Sequence, residues 1–145
     1  MKILFSAFLL LLIIVNCQNP TSTENSLNKI SFLTDKTSYT ILDSINIVLE
    51  NRSNSDIYIG LRCGNYLEMF YQKKEDNVWS DNLWFWWMSL RCPTVIDSIR
   101  PNTVFTYLIK SEIFDTTGTY RLVIDFYEQI EDTMISKFSN TFTIK

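Results

Sequence analysis

The sequence predicts an all-β sandwich of about seven to nine antiparallel strands. Three observations predict it. Short runs of alternating apolar and polar residues recur along the chain, clusters of turn-forming residues separate them, and no 12-residue stretch shows a helical period. Composition agrees. Seventeen Ile and seven Tyr suit strands, and the only Ala of the 145 residues is Ala7.

Each run shows a period of two. Ile30 and Phe32 flank Ser31. Ile45, Ile47 and Leu49 alternate with Ser44, Asn46 and Glu50. Ile57, Ile59 and Leu61 alternate with Asp56, Tyr58 and Gly60. Leu67, Met69 and Tyr71 alternate with Glu68 and Gln72, with Phe70 blurring the second face. Phe105, Tyr107 and Ile109 alternate with Thr106 and Lys110. Tyr120, Leu122, Ile124 and Phe126 alternate with Thr119, Arg121 and Asp125. Phe138, Phe142 and Ile144 alternate with Ser139, Thr141 and Thr143. Between them fall turn clusters at 34–38, 51–55, 73–77, 100–102, 115–118 and 128–133. Residues 83–90, Leu-Trp-Phe-Trp-Trp-Met-Ser-Leu, are apolar on both faces and fit a strand or a helical turn equally.

The N-terminus reads as an address rather than as fold. Lys2 precedes the apolar run from Ile3 to Val15, whose 13 residues span roughly 20 Å as a helix, short of a ~30 Å hydrocarbon core. This is the form of an export signal. Its end, Ile14-Val15-Asn16-Cys17, resembles the lipobox of bacterial lipoproteins, with Asn16 where Gly, Ala or Ser is usual. The resemblance implies that residues 1–16 are a signal peptide and that Cys17 becomes the lipidated first residue. Residues 17–28 are polar and without apolar period, a tether between membrane and domain. The folded domain is then 29–145, one domain's worth of chain.

With Cys17 consumed by lipid, Cys63 and Cys92 form one pair, and an exported chain sits where a disulfide is the default. Closing that loop would stabilise the fold by about 3–4 kcal/mol.

At residues 115–122, Asp-Thr-Thr-Gly-Thr-Tyr-Arg-Leu, the pattern resembles the start of strand F in immunoglobulin-like domains, with Tyr120 in the place of the corner tyrosine and Leu122 in that of the usual Cys. The wider order is similar to bacterial immunoglobulin-like domains of exported lipoproteins and cell-envelope proteins. Tyr39 follows Asp35-Lys36, an alternating strand ends in a Ser-rich turn by Asn54, a hairpin finishes in Trp79, and Asn140 to Ile144 closes the chain. The Trp-rich insert, residues 79–90, departs from that layout. The resemblance implies an immunoglobulin-like sandwich that presents a surface to a protein or glycan partner from a bacterial membrane, facing periplasm or cell surface. Small immunoglobulin-like proteinase inhibitors and structural subunits of envelope complexes are the alternatives.

Chemistry is constrained by what is missing. There is no His, so no Ser-His-Asp or Cys-His nucleophile system and no imidazole ligand. Cys63 and Cys92 alone do not make a zinc spacing, and Glu128, Glu131 and Asp132 lack the order of a calcium loop. Neither catalytic activity nor a metal or other cofactor is expected. Glu75, Asp76 and Asp81 read as a solvated hairpin tip. Without Lys2 the net charge is (13 − 1) − 16 = −4 and no basic stripe exists, which disfavours nucleic acid. Arg62, Arg91 and Arg100 either hold a carboxylate ligand or pair with Glu68 and Asp97. Trp84, Trp86 and Trp87 are the candidate partner-binding residues: facing water they form a stacking platform, and otherwise they cover an open end of the sandwich. Phe85 fits a buried position beside an exposed Trp84 or Trp86.

Overall fold

A computed structural model describes residues 28–130 and 133–145. The expected signal peptide, Cys17 and all of the tether but Asn28 lie outside the described residues, as do Glu131 and Asp132.

The chain folds as an all-β sandwich of two sheets. The first has three strands, β1 (Ile30–Thr34), β3 (Ser44–Asn51) and β10 (Thr103–Lys110), in the order β1-β3-β10. The second is built round the ten-residue β11 (Gly118–Tyr127), which pairs on one side with β6 (Met69–Glu75) and β4 (Ile57–Arg62). On its other side lie β12 (Ile135–Phe138) and β13 (Phe142–Ile144). Beyond β4 lies β9 (Thr94–Ile99). Four two-residue strands complete it: β2 (Ser38–Tyr39), β5 (Tyr66–Leu67), β7 (Val78–Trp79) and β8 (Leu83–Trp84). Among the described residues nine strands are thus longer than two residues, within the expected number.

The alternation becomes burial directly. Ile45, Ile47 and Leu49 of β3 face Ile57, Ile59, Met69, Leu122, Ile124 and Phe126 of the other sheet, all enclosed. Hydroxyls and amides close the ends. Asn51 is buried. Its Nδ2 donates to the carbonyls of Ser55 and Ile99, both at 2.8 Å, and its Oδ1 accepts from the Ser53 amide (2.9 Å) and hydroxyl (2.6 Å). Every hydrogen-bonding site of that side chain is used, and the 51–55 turn is clamped to β9.

Three features differ from expectation. The pairing of β2 with β13 is parallel, Ser38 beside Thr143 and Tyr39 beside Ile144. The cause is the turn at Asp35–Thr37, where the chain leaves the first sheet and joins the second alongside its last strand. Asp35 holds that crossing by accepting from the Tyr39 hydroxyl (2.7 Å) and the Asn46 amide (2.9 Å). The expected run 67–71 is broken at Glu68, whose amide bonds to the Gly60 carbonyl at 2.9 Å. The run 138–144 is two strands. Between them Ser139 accepts the Leu122 amide on its hydroxyl and returns its own amide to the Leu122 carbonyl, both at 2.9 Å. A serine side chain thus stands in for one rung of the ladder.

Two hairpins use the mirror-image turn that suits strand twist. Asp76 and Asn77, at φ 48° and 65°, join β6 to β7, so the hairpin tip is narrower than expected: Lys73 to Glu75 belong to β6, and Asp81 follows β7. Cys63 and Gly64, at φ 54° and 74°, form such a turn within the three-residue loop 63–65 that joins β4 to β5, with the Asn65 amide on the Arg62 carbonyl at 3.1 Å.

Candidate functional site

The Trp-rich insert begins on the edge of the second sheet. β8 pairs with β6, placing Leu83 beside Tyr71 and Trp84 beside Phe70. A 3₁₀ turn, Trp86–Ser89, follows. The change from strand to 3₁₀ turn divides the aromatics. Trp84 and Trp86 are 64% and 56% exposed, whereas Phe85 and Trp87 are each 3% exposed. Phe85 and Trp87 stack at 4.5 Å between ring centroids, and Trp87 Nε1 donates to the Leu67 carbonyl at 2.9 Å. Trp87 is therefore core, and a partner-facing surface here consists of Trp84 and Trp86 without it.

The exposed rings stand on a base of packed aromatic rings. A chain of ring contacts runs from Tyr39 through Phe142, Phe114, Phe85, Trp87 and Tyr66 to Trp86, each step between 4.5 and 5.9 Å. The Cys63–Cys92 disulfide, with Cα atoms 5.2 Å apart, ties the end of the insert to the β4–β5 turn. Arg62 adds a second tie, donating to the carbonyls of Met88 and Cys92 at 3.2 Å each and pairing with Glu68 at 3.4 Å. Glu68 also accepts from the Thr94 hydroxyl. Arg91, Arg100 and Asp97 form no ion pair among the described residues.

Beside the insert, the outer face of the second sheet carries a row of apolar side chains. In register across β8, β6, β11 and β12 stand Trp84, Phe70, Val123 and Phe138. Arg121 lies next to that row, its guanidinium 4.0 Å from the Phe138 ring centre and 4.3 Å from that of Trp79, a geometry of cation–π attraction. Burial holds this guanidinium below its ordinary pKa. Its Nε donates to Gln72, which donates in turn to Asn82. Sequence reasoning placed none of Phe70, Phe138 and Arg121 in a site. Their signal was Phe70 and Val123, apolar residues on the face that alternation assigns to polar ones.

The row borders a cleft of about 390 Å³, whose lining includes Glu68, Phe70, Met88, Ile96, Asp125 and Tyr127. Its walls are apolar and two carboxylates face it. Among the described residues no group of three or more Cys, Asp or Glu gathers as a metal site would require, and no helix is long and apolar enough to cross a membrane.

Tyr120 closes the opposite end of β11. Its hydroxyl donates to the Thr116 carbonyl at 2.7 Å and lies 3.0 Å from the Thr116 hydroxyl. The bond to the backbone four residues upstream has the form of a tyrosine corner. No protein-family model matches this chain, and no curated protein sequence does so.

Proposed function

We propose that the protein is a non-enzymatic, lipid-anchored immunoglobulin-like module of a bacterial cell envelope that presents the Trp84–Trp86 surface to a protein or glycan partner. Lipid on Cys17 would hold it at the membrane, and the polar tether would stand the domain off the lipid, facing periplasm or cell surface. The immunoglobulin-like reading is supported by the order of motifs along the chain and by the backbone bond of Tyr120. Export is supported by the apolar N-terminal run and by the disulfide.

The observation that carries the binding role is the pair of exposed indoles packed on buried rings beside the disulfide. Contiguous exposed apolar patches, unlike scattered single residues, mark interaction sites. Trp84 and Trp86 are also held by ring contacts to Phe70 and Tyr66, so little side-chain freedom is lost when a partner covers them.

The test is a pair of variants, Trp84→Ala and Trp86→Ala, in two assays. Tryptophan fluorescence is followed across a glycan panel, and partners are co-purified after mild detergent extraction. A response or a fixed partner that both variants lose supports the reading. A native chain that answers no glycan and retains no partner overturns it. Lipidation has a separate readout: the Cys17→Ser chain should lose its acylated N-terminus by mass spectrometry.

A further inference from the structure

Strand β10 is an edge without a guard. Its pairing with β3 fixes which backbone groups it leaves unused. The Ser111 amide bonds to the Asp43 carbonyl at 2.9 Å, and the register continues through Ile109–Ile45, Tyr107–Ile47 and Phe105–Leu49. In an antiparallel ladder the bonded pairs fall on alternate residues. The N–H and C=O groups of Val104, Thr106 and Leu108 therefore point away from β3. Val104 and Leu108 are 55% and 61% exposed, and no charge, Pro or Gly occurs from Thr103 to Ile109.

The edges at β1 and β9 are blunted. On β1 the Thr34 amide is taken by Asn140 Oδ1 at 2.7 Å. On β9 the same phase reasoning, from the Cys63 amide on the Pro93 carbonyl, turns Thr94, Ile96 and Ser98 outward. There Asp97 places a charge on the edge and accepts the Ser98 amide at 2.8 Å. Long, uncharged edges are what natural sheets avoid unless they are used.

We propose that β10 pairs with β10 of a second copy, antiparallel about a two-fold axis at Thr106, joining two three-stranded sheets into one of six. The choice of a second copy rests on self-complementarity. The two-fold places Thr106 opposite Thr106 and Val104 opposite Leu108, favourable cross-strand pairs. On the inner face it places Phe105, half-buried, beside the half-buried Tyr107 of the other chain, at the close spacing of non-bonded pairs. Lys110 meets Asn102, so no like charges oppose. The outward groups of residues 104, 106 and 108 then exchange six hydrogen bonds. This surface is independent of the Trp84–Trp86 surface.

The test is sedimentation equilibrium of the purified full chain, with amide hydrogen exchange read residue by residue at low and high concentration. A dimer is expected in which the Val104, Thr106 and Leu108 amides become protected as concentration rises. Thr106→Pro removes an outward N–H and leaves the bonds to β3 in place. Each copy loses one of the six bonds, so the dimer dissociation constant should rise at least about 10-fold, with an unchanged near-ultraviolet spectrum. Should that variant not fold, Thr106→Lys, which sets two ammonium groups face to face across the axis, should give the same loss. A chain that stays monomeric at its highest soluble concentration overturns the proposal. So does a dimer whose three amides exchange as in the monomer, or one that Thr106→Lys leaves intact.

Discussion

Phe85 lies flat against Trp87, the two ring planes within 4° and their centroids 4.5 Å apart. Their neighbours Trp84 and Trp86 face solvent. One tetrapeptide therefore holds two structural and two exposed rings, and the two kinds should respond differently to truncation. Trp87→Ala removes a buried ring and orphans the Leu67 carbonyl, for an expected loss of about 3–5 kcal/mol in urea unfolding. Trp84→Ala and Trp86→Ala should each change stability by about 1 kcal/mol or less. Equal losses at all three positions would contradict this division.

The Tyr120 hydroxyl is satisfied twice by Thr116. Tyr120→Phe keeps the ring among Phe114, Tyr71 and Phe142 and removes only those bonds. The expected loss is about 1–2 kcal/mol. Thermal unfolding of the variant beside the native chain measures it.

Asn51 should be among the least replaceable polar residues. Asn51→Leu is similar in size but leaves the buried Ile99 carbonyl and the Ser53 amide without their partner, while the Ser55 carbonyl keeps only the Ser53 hydroxyl. Burying two such groups unpaired costs about 1–3 kcal/mol each, so a loss of about 2–6 kcal/mol in urea unfolding is expected. Proteolytic susceptibility of the 51–55 turn is a direct readout. A native-like melting temperature would show that the clamp is dispensable.

Tyr39 should make stability fall at alkaline pH. Burial, and then the hydrogen bond to Asp35, push its phenol up to about 12. In the unfolded chain a tyrosine ionises near 10. The folded state thus keeps a proton that the unfolded state has lost. The stabilisation is complete below about pH 10 and disappears as pH rises through 12. Tyr71 and Tyr107 are also raised, chiefly by burial. In an alkaline absorbance titration these three phenols should ionise above the ordinary tyrosine range, and Tyr39→Phe should flatten the alkaline loss of stability.

Much of the sandwich was legible because burial on one face writes itself as alternation. Ile45, Ile47 and Leu49 show this without ambiguity, and all three are enclosed. Strand β9 was not legible. Val95 and Ile96 are adjacent apolar residues on an exposed edge, both about half exposed, so no single face organises them. The aromatic insert was undecidable for a different reason. Where every residue is apolar, the pattern cannot say which side faces in, and the division came instead from the 3₁₀ turn after Phe85. Asn51 read as an ordinary turn residue, since its hydrogen bond to the Ile99 carbonyl spans 48 residues and leaves no local trace. The outer row was hinted at by Phe70, but Phe138 and Arg121 join it only through strand register.

The disulfide also changes what a cut in the chain would do. Cys63 and Cys92 close a covalent ring that contains the whole Trp-rich insert. Hydrolysis of a peptide bond anywhere between residues 63 and 92 opens that ring but separates nothing. The nicked protein would gain one water in mass and migrate as a single species until reduced, with Trp84 and Trp86 still leashed to the sandwich on either side of the break.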